Sequence, residues 1–109
     1  DGAMEDLKIL AKDTRNVYGA EAKYKVAQIY FDGGQTDKAE QEVLNYIEVS
    51  TPHTYWLARS FVLLADVYMK SGRNLDAKQY LLSLKQNYQA DDDIAGMIES
   101  RLEKLKTEN

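Results

Sequence analysis

The chain repeats itself. Sliding its 109 residues against themselves by 38 positions aligns Ala20 with Ala58, Ala27 with Ala65, Tyr30 with Tyr68, Gly34 with Gly72, Ala39 with Ala77, Gln41 with Gln79 and Leu44 with Leu82. Four of these seven pairs are alanine or glycine, the residues that close helix packing and tight turns demand, so their placement weighs more than their number. A period of this size marks a supersecondary unit that cannot bury its apolar face alone and must stack on a neighbour.

Inside each copy the apolar residues keep helical spacing. Val26, Ala27, Ile29 and Tyr30, like Leu64, Ala65, Val67 and Tyr68, predict a first helix, and Gly34 and Gly72 stand where each should stop. A second helix is predicted after each glycine, with Thr36 and Asn74 as N-caps. Its buried stripe is Ala39, Val43, Leu44 and Ile47 in one copy and Ala77, Leu81, Leu82 and Leu84 in the other. Leu7, Ile9, Leu10 and Ala11 predict a helix ending near Asn16, and Ile94, Met97, Ile98, Leu102 and Leu105 one beginning near Asp91. Pro52 suits the first turn of the helix that carries Trp56 to Lys70, where a missing N–H costs nothing. A single proline and six scattered glycines agree with long elements and brief connections, so the expected class is all-α with six helices.

Ala27, Tyr30, Gly34 and Ala39 in the first copy, and Ala65, Tyr68, Gly72 and Ala77 in the second, form a pattern that resembles the tetratricopeptide repeat (TPR) family, bacterial members included. The family period is about 34 residues, and the extra four fall in the connection at 50–54. The large residue expected early in the first helix is Phe61 in the second copy but Lys23 in the first. The closing proline is matched loosely by Pro52 and is missing after Tyr88. The resemblance implies a right-handed α-α superhelix, a TPR-like solenoid of about six antiparallel helices. It divides residues 5–109 into a half repeat (5–16), two repeats (20–53 and 58–91) and a capping helix (92–107), and the residues Asp1, Gly2, Ala3 and Met4 before them read as a tag remnant. The last helix reads as a cap because Glu99 and Leu102 stand where the family has a small residue and an aromatic.

The chemical inventory is thin. The only histidine, His53, sits in the connection before Thr54 and reads as an exposed loop residue, and without cysteine or a second histidine it forms no common zinc or Cys-His site. Asp91, Asp92 and Asp93 read as helix-capping carboxylates, since a calcium loop alternates its ligands around a turn glycine. Gly33-Gly34 lacks the Lys-Ser/Thr of a phosphate loop. The expectation is therefore no enzyme activity, no cofactor, no metal and no small-molecule substrate. A net charge of −4 opposes general affinity for nucleic acid, and a 44% hydrophobic, 29% charged composition is that of a soluble globular protein.

What remains is recognition of protein. In the family the first helix of each repeat lines a concave surface, and the resemblance nominates Tyr24, Gln28 and Phe31 in the first copy and Arg59, Val62, Asp66 and Met69 in the second as contacts for a partner protein or peptide. The expected function is a protein-protein interaction scaffold that holds a peptide or helix in a groove. The alternative is a spacer and C-terminal cap of a longer solenoid. Further partners implied are the remaining repeats of a longer parent chain, or a second copy across the truncated end. By the same resemblance the setting is a bacterial periplasm or outer membrane, with the cytoplasm as the alternative.

Overall fold

Two glycines set the sharpest reversals in the chain. The computed structural model describes residues 2–49 and 51–107, whose regular structure is entirely helical: α1 (Gly2–Leu10), α2 (Val17–Asp32), α3 (Thr36–Glu48), α4 (Thr54–Lys70), α5 (Asn74–Asn87) and α6 (Ile94–Thr107). Gly34 after α2 lies at φ +80° and Gly72 after α4 at φ +78°, where a Cβ costs about 1–2 kcal/mol. Both reversals close with the same two bonds. Gly34 N–H donates to the Phe31 carbonyl (3.0 Å) and Gln35 N–H to that of Tyr30 (2.8 Å); Gly72 N–H donates to Met69 (3.2 Å) and Arg73 N–H to Tyr68 (2.7 Å). This is the Schellman arrangement, which satisfies the last carbonyls of a helix.

The turns are so short that one residue closes a helix and opens the next. Gln35 and Arg73 already accept from the N–H groups of Ala39 (3.0 Å) and Ala77 (3.1 Å). Thr36 and Asn74, expected as N-caps, are therefore the first residues of α3 and α5, and no side-chain cap bond forms at either start.

Each helix packs on its successor, and α4 packs also on α2 and on α6, whereas α3 and α5 do not touch. The even-numbered helices thus form one contiguous row, α2, α4, α6, against which α3 and α5 pack. All six alanines matched by the repeat are 2% exposed or less, which lets neighbouring backbones approach. No described helix is long and apolar enough to cross a membrane.

Where the observed packing departs from the sequence pattern, neighbours and rotation decide. The buried stripes run through Ala39, Val43 and Tyr46 and through Ala77, Leu81 and Leu84. Steps of four and three residues hold one face, while the single step to Leu44 or Leu82 turns about 100° and leaves both exposed. Ile29 is 42% exposed although its repeat mate Val67 is 1% exposed. Four helices surround α4, whereas α2 has only α1 on its leading side. None of the residues of α1 is buried.

The connections also differ from expectation. Asn16 does not end α1; its side chain accepts from Tyr18 N–H (2.8 Å) and caps α2. Pro52 precedes α4 by two residues, and its carbonyl accepts from Thr54 N–H (3.1 Å). The α3–α4 connection is tied to the α1–α2 connection by Thr51 Oγ1 donating to the Thr14 carbonyl (2.6 Å) and by His53 Nε2 at 2.9 Å from the Arg15 carbonyl. His53 is therefore a half-buried strut and not an exposed loop residue. α6 begins at Ile94, after Asp92 Oδ1 has accepted from Ile94 N–H (2.9 Å). Asp1, Ser50, Glu108 and Asn109, assigned from sequence to the tag remnant, the α3–α4 connection and the end of the domain, lie outside the described residues.

Candidate functional site

Side chains spaced by four and then three residues return to one face of a helix. On the row of even-numbered helices this spacing presents Tyr24, Gln28 and Phe31 from α2, Val62, Asp66 and Met69 from α4, and Met97, Arg101 and Lys104 from α6. They line two adjoining depressions. One is walled by Tyr24, Gln28, Arg59, Val62, Met97 and Arg101. The other, of about 520 Å³, is walled by Phe31, Met69, Lys70, Ser100 and Lys104. Asp66 and Arg101 belong to both. All seven residues nominated from the sequence thus lie along one groove.

Their burial divides them by role. Val62, 3% exposed, and Tyr24 belong to the core and form the floor, while Gln28, Phe31, Arg59, Asp66 and Met69 are half-buried. The Tyr24 hydroxyl donates to Gln28 Oε1 (2.8 Å), and Gln28 Nε2 donates to Asp32 Oδ1 (2.8 Å), which fixes the amide orientation along α2. Arg59 lies over the rings of Tyr24 (5.2 Å) and Trp56 (5.8 Å) and donates to the Tyr55 hydroxyl (3.2 Å). Stacking of this kind immobilises a guanidinium without consuming all of its donors. The Tyr55 hydroxyl donates in turn to Asp93 (2.9 Å), and burial, followed by that carboxylate, pushes its pKa up, so it stays a neutral donor.

Between the two depressions Arg101 Nε and Nη2 donate to Asp66 Oδ1 (2.9 Å) and Oδ2 (3.0 Å). This bidentate pair joins α6 to α4. The contribution of α6 is what the sequence reading missed. Met97, Arg101 and Lys104 each follow Val62, Asp66 and Met69 by 35 residues, a signal lost because the absent small and aromatic residues made α6 read as a cap.

The departure at Lys23 also resolves into a paired exchange. Lys23 Nζ lies 3.1 Å from Glu42 Oε2, and the repeat mates of these two residues are Phe61 and Tyr80, whose rings stand 6.1 Å apart. An ion pair in one hairpin occupies the position of an aromatic pair in the other, and both join the first helix to the second. Beside Lys23, a separate recess of about 660 Å³ between α1 and α3 is lined by Lys8, Lys12, Arg15 and Asp13 among others.

Of the acidic run, Asp92 accepts from Ile94 N–H and from the Tyr88 hydroxyl (2.6 Å), and Asp93 from Tyr55. No group of three or more His, Cys, Asp or Glu among the described residues is arranged to hold a metal ion. The chain matches no protein-family model, and comparison with curated proteins and with solved structures finds no match.

Proposed function

We propose that this chain is a segment of a TPR-type superhelical solenoid whose groove on the row of even-numbered helices holds a peptide segment or surface helix of another protein, and that it carries out no reaction of its own. The observation behind this reading is the convergence of three rows of side chains, spaced alike on α2, α4 and α6, into a groove that mixes Phe31 and Met69 with charged neighbours. A mixed lining of anchors and charges is what recognition of a helix or strand uses. The step from such a fold to protein binding is an analogy. The bacterial envelope setting, with the cytoplasm as alternative, rests on the resemblance alone.

A photo-crosslinking residue at Met69, and separately at Gln79 on α5, tests the groove in the cell extract of the source. The expected result is a discrete adduct from position 69, lost when Phe31→Ala is added with helicity unchanged, and none from position 79. Equal labelling from both positions would argue against the groove. The second reading, a spacer within a longer stack, is favoured by the exposed Ile9, Leu10, Val17 and Tyr18 at the leading end, apolar surface of the kind that a neighbouring repeat covers. It takes precedence if position 69 captures nothing.

A further inference from the structure

α1 and α3 both pack on α2 but not on each other, as α3 and α5 both pack on α4. The gap between α1 and α3 is the open recess of about 660 Å³, with Lys23 and Val26 of α2 as its floor, Lys8 and Lys12 of α1 on one wall, and Glu42 and Asn45 of α3 on the other. That volume lies within the about 300–1,000 Å³ of small-molecule sites. Where α4 and α5 meet, the aromatic pair Phe61 and Tyr80 occupies the place that the ion pair Lys23 and Glu42 takes here. Both carboxylates of the recess are engaged. Glu42 Oε2 lies 3.1 Å from Lys23 Nζ, and Asp13 Oδ1 accepts from Arg15 N–H (3.2 Å) and lies 3.7 Å from Arg15 Nε. Lys8 and Lys12 form no ion pair among the described residues. Lys8 Nζ stands 5.6 Å from the centre of the Tyr30 ring, a neutral partner that leaves its charge uncompensated. Nothing among the described residues pairs with the Lys12 ammonium or the Asn45 amide. The two lysines are one turn apart, with Cβ atoms about 5–6 Å from each other, a spacing at which like charges repel unless an anion sits between them. Attraction to the C-terminal end of α1 accounts for their sign, and not for their meeting on one recess beside an unpaired amide.

We infer that this recess is a binding site for a small phosphorylated compound, its phosphate held between the Lys8 and Lys12 ammonium groups and accepting a further bond from the Asn45 amide. The site is separate from the groove on α2, α4 and α6 and stands without it. Two ammonium groups match the double charge of a phosphate, which offers three acceptor oxygens, whereas a carboxylate brings one charge and two. Val26 gives the body of the compound an apolar surface to lie on. A nucleic-acid backbone or a lipid surface meets cations spread over many phosphates; here two cations face a single concave place. A ligand held in this way bridges α1 to α3. Since α1 buries none of its own residues and touches only α2, binding secures the least anchored helix of the stack.

Two-dimensional NMR titration of the isotope-labelled chain, at constant ionic strength, decides the matter with four probes: inorganic phosphate, ribose monophosphate, sodium acetate and a ten-residue phosphoserine peptide. Ribose monophosphate should give saturable shifts confined to the end of α1, the α1–α2 connection and Asn45, and should bind at least about tenfold tighter than acetate. It should also slow amide exchange in α1. Lys8→Gln with Lys12→Gln, both exposed positions, should weaken it at least about tenfold with helicity unchanged, while Lys78→Gln on α5 changes it less than about twofold. Acetate binding as tightly as the phosphate would show attraction to charge alone and overturn the assignment. Binding of inorganic phosphate without ribose monophosphate reduces the site to one for the free ion, and tighter binding of the peptide replaces the small compound with a phosphorylated protein; either overturns the inference as stated. Shifts that are scattered, fail to saturate or ignore the paired lysine substitution mean that the recess is no site.

Discussion

At the scale of single residues, small size and buried hydroxyls do the most specific work. A Cβ on Gly19 would collide with the Asp13 carbonyl and come within 2.7 Å of the Leu10 carbonyl, because α2 starts directly beneath the α1–α2 connection. Backbone atoms there yield little, so Gly19→Ala should destabilise the protein by about 1–3 kcal/mol, the range for overpacking. An unchanged urea midpoint would mean that α1 does not pack as described. Tyr68 carries a pH dependence. Burial first, and then the Glu40 carboxylate, push its phenol from 10.0 up to about 12. The folded state therefore keeps a proton that the unfolded state releases, so this contribution is complete below about pH 10 and is lost as pH rises from about 10 towards 12. Tyr68→Phe keeps the ring contact with Tyr80 (5.6 Å) and removes the titration. Its urea midpoint should fall less steeply than that of the parent over this window, and parallel curves would show the Tyr68 phenol to be solvated.

For the elements, the turns and the last helix are the points to probe. Gly34 and Gly72 share a positive φ, and nothing lies within 4 Å of a Cβ built on either. The cost of Gly34→Ala and of Gly72→Ala therefore comes from the backbone alone. Each should lower stability by about 1–2 kcal/mol, and by similar amounts, in urea unfolding. A large difference between them would place a steric contact in one turn that the other lacks. α6 depends on Asp66 and Arg101, whose bidentate pair is its polar tie to α4. Arg101→Met would leave a half-buried carboxylate without its partner, at a cost of about 1–3 kcal/mol. Amide exchange should accelerate in α6 while α2 to α4 keep their protection; uniform acceleration would mean that α6 unfolds only with the rest.

Across the molecule, stability should be graded by position in the stack. The centre, α4, has helices on four sides, whereas α1 touches α2 alone and α6 touches α4 and α5. In a stack of nearest-neighbour contacts the ends open before the middle. Hydrogen exchange should therefore be fastest in α1 and slowest around Leu64, Ala65 and Val67. Protection of α1 equal to that of α4 would point to contacts on the leading face that the isolated chain does not have. The same gradient places the proposed groove over the most rigid element, with its walls on less secure helices.

The repeat alone determined most of the architecture. Alanines and glycines at matched positions prescribe where backbones approach and where helices must reverse, and these are local demands that one residue type satisfies. The rows on α2 and α4 were nominated through the resemblance to a repeat family, and helical spacing then places each row on one face of its helix. Three features were decided only by tertiary structure. Ile29 and Val67 share a pattern position but not a neighbourhood, so burial separates them. Lys23 and Glu42 replace an aromatic pair, an exchange that one strand of sequence cannot reveal because the partners lie 19 residues apart on different helices. The third wall of the two depressions comes from α6, where Arg101 is held against Asp66 of α4. Periodicity specifies a face of a helix; what that face meets is settled by packing against the rest of the chain.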